Sequence, residues 1–550
     1  MIMHGAGTLR ALDHIIHLRR QSLKSTRALL RCYTKTPAFN LRAYTTAKSI
    51  QRPFQFKTLF IASAICVGAG LGYLYITDTR ASVHRWLGPP LIRVLWPDAE
   101  DAHKGGVELF KKLYRFGLHP RERCCPDDAK DLETEVFGNT LLNPLGISSG
   151  LDKHGEIPTQ LLALGPALVE IGGVTETRQS GNPQPRVFRV TSQRGMLNRC
   201  GLNSQGAERV AARLRQRVRE FAYNQGYGVG EDAESLVLNG GAGVPPGSLV
   251  KGKLLAVQVA KNTSTPNGAT EDVRRDYVRA TSLLARYADI IVVNISCPNA
   301  PGYRELQQVE SLTRILTGVV GAAASADRKS RPAVMVKAGL DEDTEEQVAT
   351  ICAAVWASGV DGVVVGNTTT LRPERTCLSK TEAALMEERG GYSGPQLFHR
   401  TVSLVKKYRR VLDYPLHEQN QSQQTQLKVQ EATGTRNVAS FKRDEKNPEE
   451  VSDELINQRL IRGQERHSLS RTHGTGPDIA PALSASQHLE HPSTSKVLAQ
   501  PATFSPKVIF CTGGITNGQQ ALEVLDAGAS VAQIYTGRIL STTNALSADD

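Results

Sequence analysis

Downstream of residue 141 the chain alternates between short, continuous apolar runs and longer stretches in which apolar residues recur at helical spacing. The runs lie at Leu142–Ile147, Leu168–Gly172, Leu254–Ala260, Ile290–Asn294, Ala333–Ala338, Gly362–Gly366, Val508–Cys511 and Val531–Tyr535. Short apolar runs without polar alternation read as strands buried on both faces. Amphipathic helices are expected between most of them, as at Gln205–Phe221, Asp272–Arg286 and Thr344–Ala357. Eight strands alternating with helices predict an α/β fold with a parallel sheet, and the number suits a (β/α)8 TIM barrel. A doubly wound open sheet is the rival, but no G-x-G-x-x-G follows the first strand.

The N-terminal side is different. Thr58–Thr77 (TLFIASAICVGAGLGYLYIT) is twenty residues without a charge, enough at ~1.5 Å per residue to cross ~30 Å of hydrocarbon. Arg52 and Lys57 flank one side, Asp78 and Arg80 the other, and Tyr73 and Tyr75 suit an interface. A core helix of this length would carry a polar stripe, and none is present, so a transmembrane helix is expected at 58–77. Two short amphipathic helices follow within residues 81–120, at Ser82–Trp96, with a break at Pro89–Pro90, and at Ala99–Leu118. Such helices ordinarily pack on a core. After a membrane span they equally suit the bilayer surface, and periodicity does not separate the two.

Within the barrel region (134–540), the stretch 416–506 breaks the rhythm. It is rich in Gln, Ser, Glu and His, and its only aromatic before Pro501 is Phe441. So little apolar surface cannot offset the entropy of ordering, and a disordered polar insert is expected.

Charge refines this picture. The chain carries 66 Lys plus Arg against 54 Asp plus Glu. Eleven of the basic residues and only one acid, Asp13, fall in residues 1–57, so the body is nearly neutral and gives no electrostatic case for nucleic acid. A basic leader rich in Ser and Thr, with Leu, Ile and Ala on one helical face over Leu9–Leu30, has the pattern of a mitochondrial presequence. The nine cysteines are scattered and contain no C-x-x-C pair, so neither a disulfide framework nor a metal centre is expected.

The strand ends carry the candidate chemistry. The first ends in Ser148-Ser149-Gly150-Leu151-Asp152-Lys153, the fifth in Lys337, the sixth in Asn367-Thr368, the seventh in Gly513-Gly514 and the eighth in Tyr535-Thr536. Glycine N–H groups at the last two strand ends of a barrel suit a phosphate, and a lysine on the same face suits the negative charge of a reduced flavin. Singly, each has a plain explanation as a turn, a cap or a solvated side chain. In barrel order they favour a flavin.

The runs NPLGISSGLDKHGE (143–156), VEIGGVT (169–175), GNPQPRVFR (181–189), LNRCGLNSQG (197–206), VVNISCPNAPG (292–302), NTTTLRP (367–373), GGYSGPQL (390–397) and TGGITNGQQALE (512–523) closely resemble dihydroorotate dehydrogenase. With the leader, the span and the helix pair, the resemblance is to the membrane-attached, quinone-reducing class of mitochondria. It implies FMN held by Ser148, Ser149, Gly150, Gly172, Gly173, Gln258, Asn294, Lys337, Ser393 and Gly394, with its phosphate at Gly513, Gly514, Tyr535 and Thr536. It implies dihydroorotate held by Lys153, Asn198, Asn294, Asn299, Asn367 and Thr368. It also implies a ubiquinone tunnel between the two helices at His103, Arg189 and Tyr535. A monomer in the inner membrane, with a single pass, is expected.

The sequence departs from that family at its base position. Cys297 stands where the quinone-linked class has serine, as in the soluble fumarate- and NAD-linked classes, and Ala300 replaces the threonine that assists the serine. The two changes are coherent, because a thiol of ordinary pKa ~8.5 needs less help than a hydroxyl to act as a base. Leu202 replaces an aromatic, Gln258 an asparagine and Gly366 a threonine. About fourteen residues follow Thr536, fewer than the family's closing helix takes, so the eighth strand is expected to lack that cover. Two other readings remain open at this point: a catalytically weak or inactive paralogue that keeps the fold, and a related FMN barrel acting on a different small ring.

Overall fold

The computed structural model describes residues 56–123, 131–266, 268–296, 308–374, 378–413 and 506–536. The leader up to residue 55, Cys297, Asn299, Ala300, the insert up to residue 505 and the segment after Thr536 lie outside them. The chain divides into two units, residues 1–69 and 70–550. Helix α1 (Phe56–Ile76) begins in the first, has 21 residues and buries none of them. It is long and apolar enough to cross a bilayer.

In the second unit, α2 (Val83–Trp86) and α3 (Gly88–Leu95) occupy the stretch expected as one broken helix. The break falls at Leu87, and Pro89 and Pro90 start α3, where a missing N–H costs nothing because first-turn donors have no partner in the helix. Helix α4 (Ala99–Arg115) is capped by Asp98, which accepts from the Glu100 and Asp101 N–H groups at 2.8 and 2.9 Å.

Eight parallel strands close the barrel in chain order: β1 (Leu145–Ile147), β2 (Leu168–Thr175), β3 (Leu254–Ala260), β4 (Ile290–Asn294), β5 (Ala333–Ala338), β6 (Gly362–Val365), β7 (Val508–Thr512) and β8 (Val531–Ile534). The register of β8 on β1, Gln533 opposite Gly146, completes the ring. Helices return between the strands: α5 (Pro158–Ala163), α6 (Ala207–Asn224) and α7 (Glu231–Leu238), α8 (Thr270–Leu284), α9 (Val309–Ala324), α10 (Glu345–Ser358), α11 (Lys380–Met386) and α12 (Phe398–Leu412), and α13 (Gly518–Asp526). The first strand is shorter than its apolar run. Pro144 has no N–H for the ladder, and Asn143 makes a turn instead, accepting from the Leu145 and Ala167 N–H groups at 3.1 and 3.2 Å.

Strand alternation divides the core in two. Leu168, Leu254, Ala256, Ile290, Val292, Met335, Val364, Phe510 and Val531 fill the barrel interior. Their neighbours Val169, Ile171, Leu255, Val257, Ile291, Val293, Val334, Val336, Val363 and Ile509 pack outward in the core shared with the helices. A hairpin of Thr134–Val136 and Asn139–Leu141 plugs the amino-terminal end with Val136 and Leu141, and the Phe137 and Phe510 rings lie 6.2 Å apart. A three-stranded antiparallel sheet pairs Gly195–Asn198 with Val187–Val190 on one side and Gly391–Ser393 on the other. Strands of three or four residues carry no readable period, so apolar patterning does not forecast this sheet.

Phe510 is fully buried in the interior layer, so Phe510→Ala should cost about 3–5 kcal/mol by loss of transfer energy and creation of a cavity. Denaturant unfolding in detergent should show the lower midpoint at an unchanged slope. Tyr223→Ala, at a side chain 66% exposed, should move the midpoint by less than about 0.5 kcal/mol equivalent.

Candidate active site

Toward the carboxyl ends of the strands the interior layer turns polar. Glu170 sits two residues beyond Leu168, Gln258 two beyond Ala256, Asn294 two beyond Val292, Lys337 two beyond Met335 and Gln533 two beyond Val531, so all five share the inward face. They are buried and mutually bonded. Lys337 Nζ donates to Glu170 Oε1 at 2.9 Å and to Ser149 Oγ at 3.1 Å. Gln258 Nε2 donates to Ser149 Oγ at 2.8 Å and to Glu170 Oε1 at 2.7 Å, while its Oε1 accepts from Asn294 Nδ2 at 3.2 Å.

Above this layer lies a cavity of about 1190 Å³. That exceeds the several hundred cubic ångströms of an ordinary small-ligand pocket, and leaves room for a cofactor and a substrate together. Its wall includes Ser148, Ser149, Gly150, Lys153, Gly172, Gly173, Asn198, Gln258, Asn294, Lys337, Asn367, Thr368, Ser393, Gly513, Gly514, Tyr535 and Thr536. Gly394 is described but does not line it.

Each of the long polar side chains is held. Lys153 Nζ donates to Asn203 Oδ1 at 2.8 Å, and Asn367 Nδ2 donates to the Ser296 carbonyl at 2.6 Å. Asn198 Nδ2 donates to the Gly391 carbonyl at 3.3 Å across the small sheet. Behind Asn367 and Thr368, Asp341 accepts from the Thr370 N–H at 2.8 Å, the Thr370 hydroxyl at 2.7 Å and the Thr369 hydroxyl, which fixes that loop. The glycines after β7 are needed for space. A Cβ on Gly514, at φ +74°, would come within 2.4 Å of the Phe398 backbone nitrogen.

The cavity continues past Gly150 and Tyr535 to Ile92, Ala99, Ala102, His103, Val107 and Arg189, between α3 and α4. His103 Nε2 lies 2.6 Å from the Leu151 carbonyl, which can only accept, so Nε2 carries the proton. Burial lowers the His103 pKa and pushes the Tyr535 hydroxyl up to about 12, so both are neutral at physiological pH. Burial also takes His154 down to about 4, and its Nδ1 has no partner among the described residues.

The helix pair is tied to the barrel by charge. Arg186 donates through Nε and Nη2 to the two Glu100 oxygens at 2.9 and 2.8 Å, both side chains being about nine-tenths buried. Lys111 of α4 pairs with Glu156 after β1.

Residues 131–416 match the family model described as dihydroorotate dehydrogenase. The chain belongs to the dihydroorotate dehydrogenase family. It is similar to the protein named dihydroorotate dehydrogenase (quinone), mitochondrial, of Eremothecium gossypii, with 36% identity over 340 residues, 60% of this chain and 70% of that one. The mouse protein of the same name is 33% identical over 359 residues, covering 64% of this chain and 80% of its own. Among solved structures, the DHODH of Eimeria tenella in complex with ferulenol superposes with a TM-score of 0.52 at 24% identity, over 80% of this chain and 86% of that one, a likeness of fold.

In this dihydroorotate dehydrogenase barrel, the sequence reading overlooked Glu170, Gln533 and Asn203, each of which bonds a cavity-lining residue or lines the cavity itself. A carboxylate in the midst of an apolar strand (LVEIGGVT) was the available signal for Glu170. Nothing local marks Asn203.

The Glu100–Arg186 pair sets an acid limit. The hydrogen bond from Arg186 and its charge outweigh burial and hold the Glu100 carboxyl at about 2 instead of 4.5. A depressed folded-state pKa means stability that is complete above about pH 4.5 and lost as pH falls through about 2. Glu100→Gln should therefore cost on the order of 1–3 kcal/mol near neutrality. Denaturant unfolding of the two proteins at stepped pH should show that difference shrinking between about pH 4.5 and 2.

Proposed function

We propose that this chain oxidises (S)-dihydroorotate to orotate, a reaction of de novo pyrimidine biosynthesis, with FMN as hydride acceptor and ubiquinone as final electron acceptor. The observation that carries this is a buried lysine on the inward face of β5, beneath a cavity that runs on between two helices that follow an apolar span in the sequence. Membership of the family and the quinone-linked mitochondrial names of the relatives support the same reading.

The residues present fit FMN. Gly172 admits a ring close to the backbone, since a Cβ there would come within 2.4 Å of the Gln258 carbonyl. Gln533 lines the cavity, and its buried Oε1 lacks a partner among the described residues, so it offers an acceptor to a ring N–H. Gly513, Gly514, Tyr535 and Thr536 would hold the phosphate, and Ser148, Ser149, Gly150, Gly173, Asn294, Lys337 and Ser393 the ring and ribityl chain. When bound, FMN supplies the acceptor for the hydride leaving C6 of dihydroorotate.

The remaining work falls to the chain. Lys153 supplies the one cation for the substrate carboxylate, and Asn198, Asn294, Asn299, Asn367 and Thr368 pair with ring N–H and carbonyl groups that need both donors and acceptors. Cys297, as thiolate, takes the C5 proton. His103, Arg189 and Tyr535 bound the quinone passage, with neutral His103 and Tyr535 offering hydrogen bonds without adding charge. The chain acts as a monomer, and α1 anchors it in the mitochondrial inner membrane with a single pass.

Purified full-length protein should show a flavin absorption spectrum that bleaches on anaerobic addition of dihydroorotate and returns with a short-chain ubiquinone. A yellow protein that fails to bleach would reject the substrate. Cys297→Ala should slow the bleaching roughly 10²–10⁴-fold and leave bound FMN in place, because removal of a base acts on the transition state. In isolated mitochondria the mature chain should resist carbonate extraction, and its appearance in the soluble fraction would remove α1 from the membrane.

A further inference from the structure

The proposed flavin site contains a carboxylate that the chemistry above does not use. Glu170 lies on the inward face of β2, opposite Ala256 in the β3 register, with no solvent exposure, and Lys337 is only 2% exposed. Their ion pair is 2.9 Å long. Both carboxylate oxygens are occupied, Oε1 by Lys337 Nζ and Gln258 Nε2, and Oε2 by Gln533 Nε2 at 2.9 Å. The other ammonium protons are shared with Ser149 Oγ at 3.1 Å and Ser148 Oγ at 3.4 Å. Gln258, at the family's asparagine position, has the reach to join Ser149 to Glu170, and Gly173 leaves it room, since a Cβ there would stand 3.0 Å from Gln258 Oε1.

A lone ammonium in this setting would act strongly on anything in the cavity, because little water is present to screen it. Paired with a carboxylate at contact distance, it presents a dipole instead of a net charge. We propose that Glu170 is a positioning residue: through Lys337 it tempers the positive field at the flavin and so keeps the reduction potential low enough for electrons to pass on to quinone. Two amides, which have no charge of their own, hold the carboxylate in place beside the lysine. The proposal rests on the FMN reading.

Sulfite adds reversibly to oxidised flavin and leaves a negative charge on the ring, so its affinity reports the local positive field without turnover. In full-length, FMN-loaded protein, Glu170→Gln should bind sulfite about tenfold more tightly or better. Lys337→Gln should bind sulfite more weakly. Glu170→Asp keeps the charge but draws it back from the ammonium, so it should move affinity in the direction of Glu170→Gln by less. Sulfite affinity unchanged in Glu170→Gln, or falling flavin occupancy with no change in the flavin that stays bound, would make Glu170 a structural residue and overturn the proposal. If Glu170→Gln retains no flavin, Glu170→Asp decides by the same criterion, and failure of both to hold flavin also overturns it. A wild-type protein without flavin would be seen before any variant is made, and would overturn the FMN reading along with this one.

Discussion

A closed barrel has no edge, so every strand residue must face either its interior or its surrounding helices. That constraint organises the whole molecule. Along each strand alternate residues enter the ring, and the ring admits only what neighbouring strands can pack or bond. From the amino-terminal end the inward side chains are first Leu, Ile, Val, Met and Phe, and then, one pleat further on, Glu170, Gln258, Asn294, Lys337 and Gln533. The site is the polar end of the same packed column.

Charges buried in the barrel are therefore each matched by a partner, and the two ends match them differently. Near the amino-terminal end Asp289 is satisfied by backbone, accepting from the Gly247, Ser248 and Leu255 N–H groups at 2.8, 2.7 and 2.8 Å, although burial raises its pKa. Those bonds have nothing left to offer a ligand, and they knit loops to the barrel. At the carboxyl end Lys337 and Glu170 are matched to each other, with serine hydroxyls and glutamine amides around them. The first arrangement secures the fold, whereas the second faces the cavity and leaves polar groups available to it.

The helix pair extends that cavity without rebuilding the barrel. Helices α3 and α4 expose Leu91, Val94, Leu95 and Leu109 on one side and place Ile92, Ala102 and His103 along the passage. So small a unit cannot bury a core of its own, and charge pairs supply the attachment: Arg186 to Glu100, nearly buried, and Lys111 to Glu156, half-buried. Arg189, in the strand Val187–Val190 that follows Arg186, donates to the Pro97 carbonyl at 2.8 Å and joins α3 and α4 to the sheet through their connecting turn.

The eight strands, their order and the helices between them were legible in the apolar runs, because a strand buried on both faces leaves a local record in residue type. The apolar span and the glycine- and serine-rich strand ends were legible for the same reason, and the motif resemblance located most of the cavity wall. Tertiary structure alone decided the rest. Glu170 meets a lysine 167 residues away and a glutamine 363 residues away, and Lys153 meets Asn203 across 50. No local pattern encodes such pairings, because they depend on how strands closed in a ring are staggered. The small antiparallel sheet is also outside the reach of sequence, since its strands are three or four residues long and Gly391–Ser393 is separated from Gly195–Asn198 by four barrel strands along the chain. Residue type records burial, which is local; partners are set by closure, which is not.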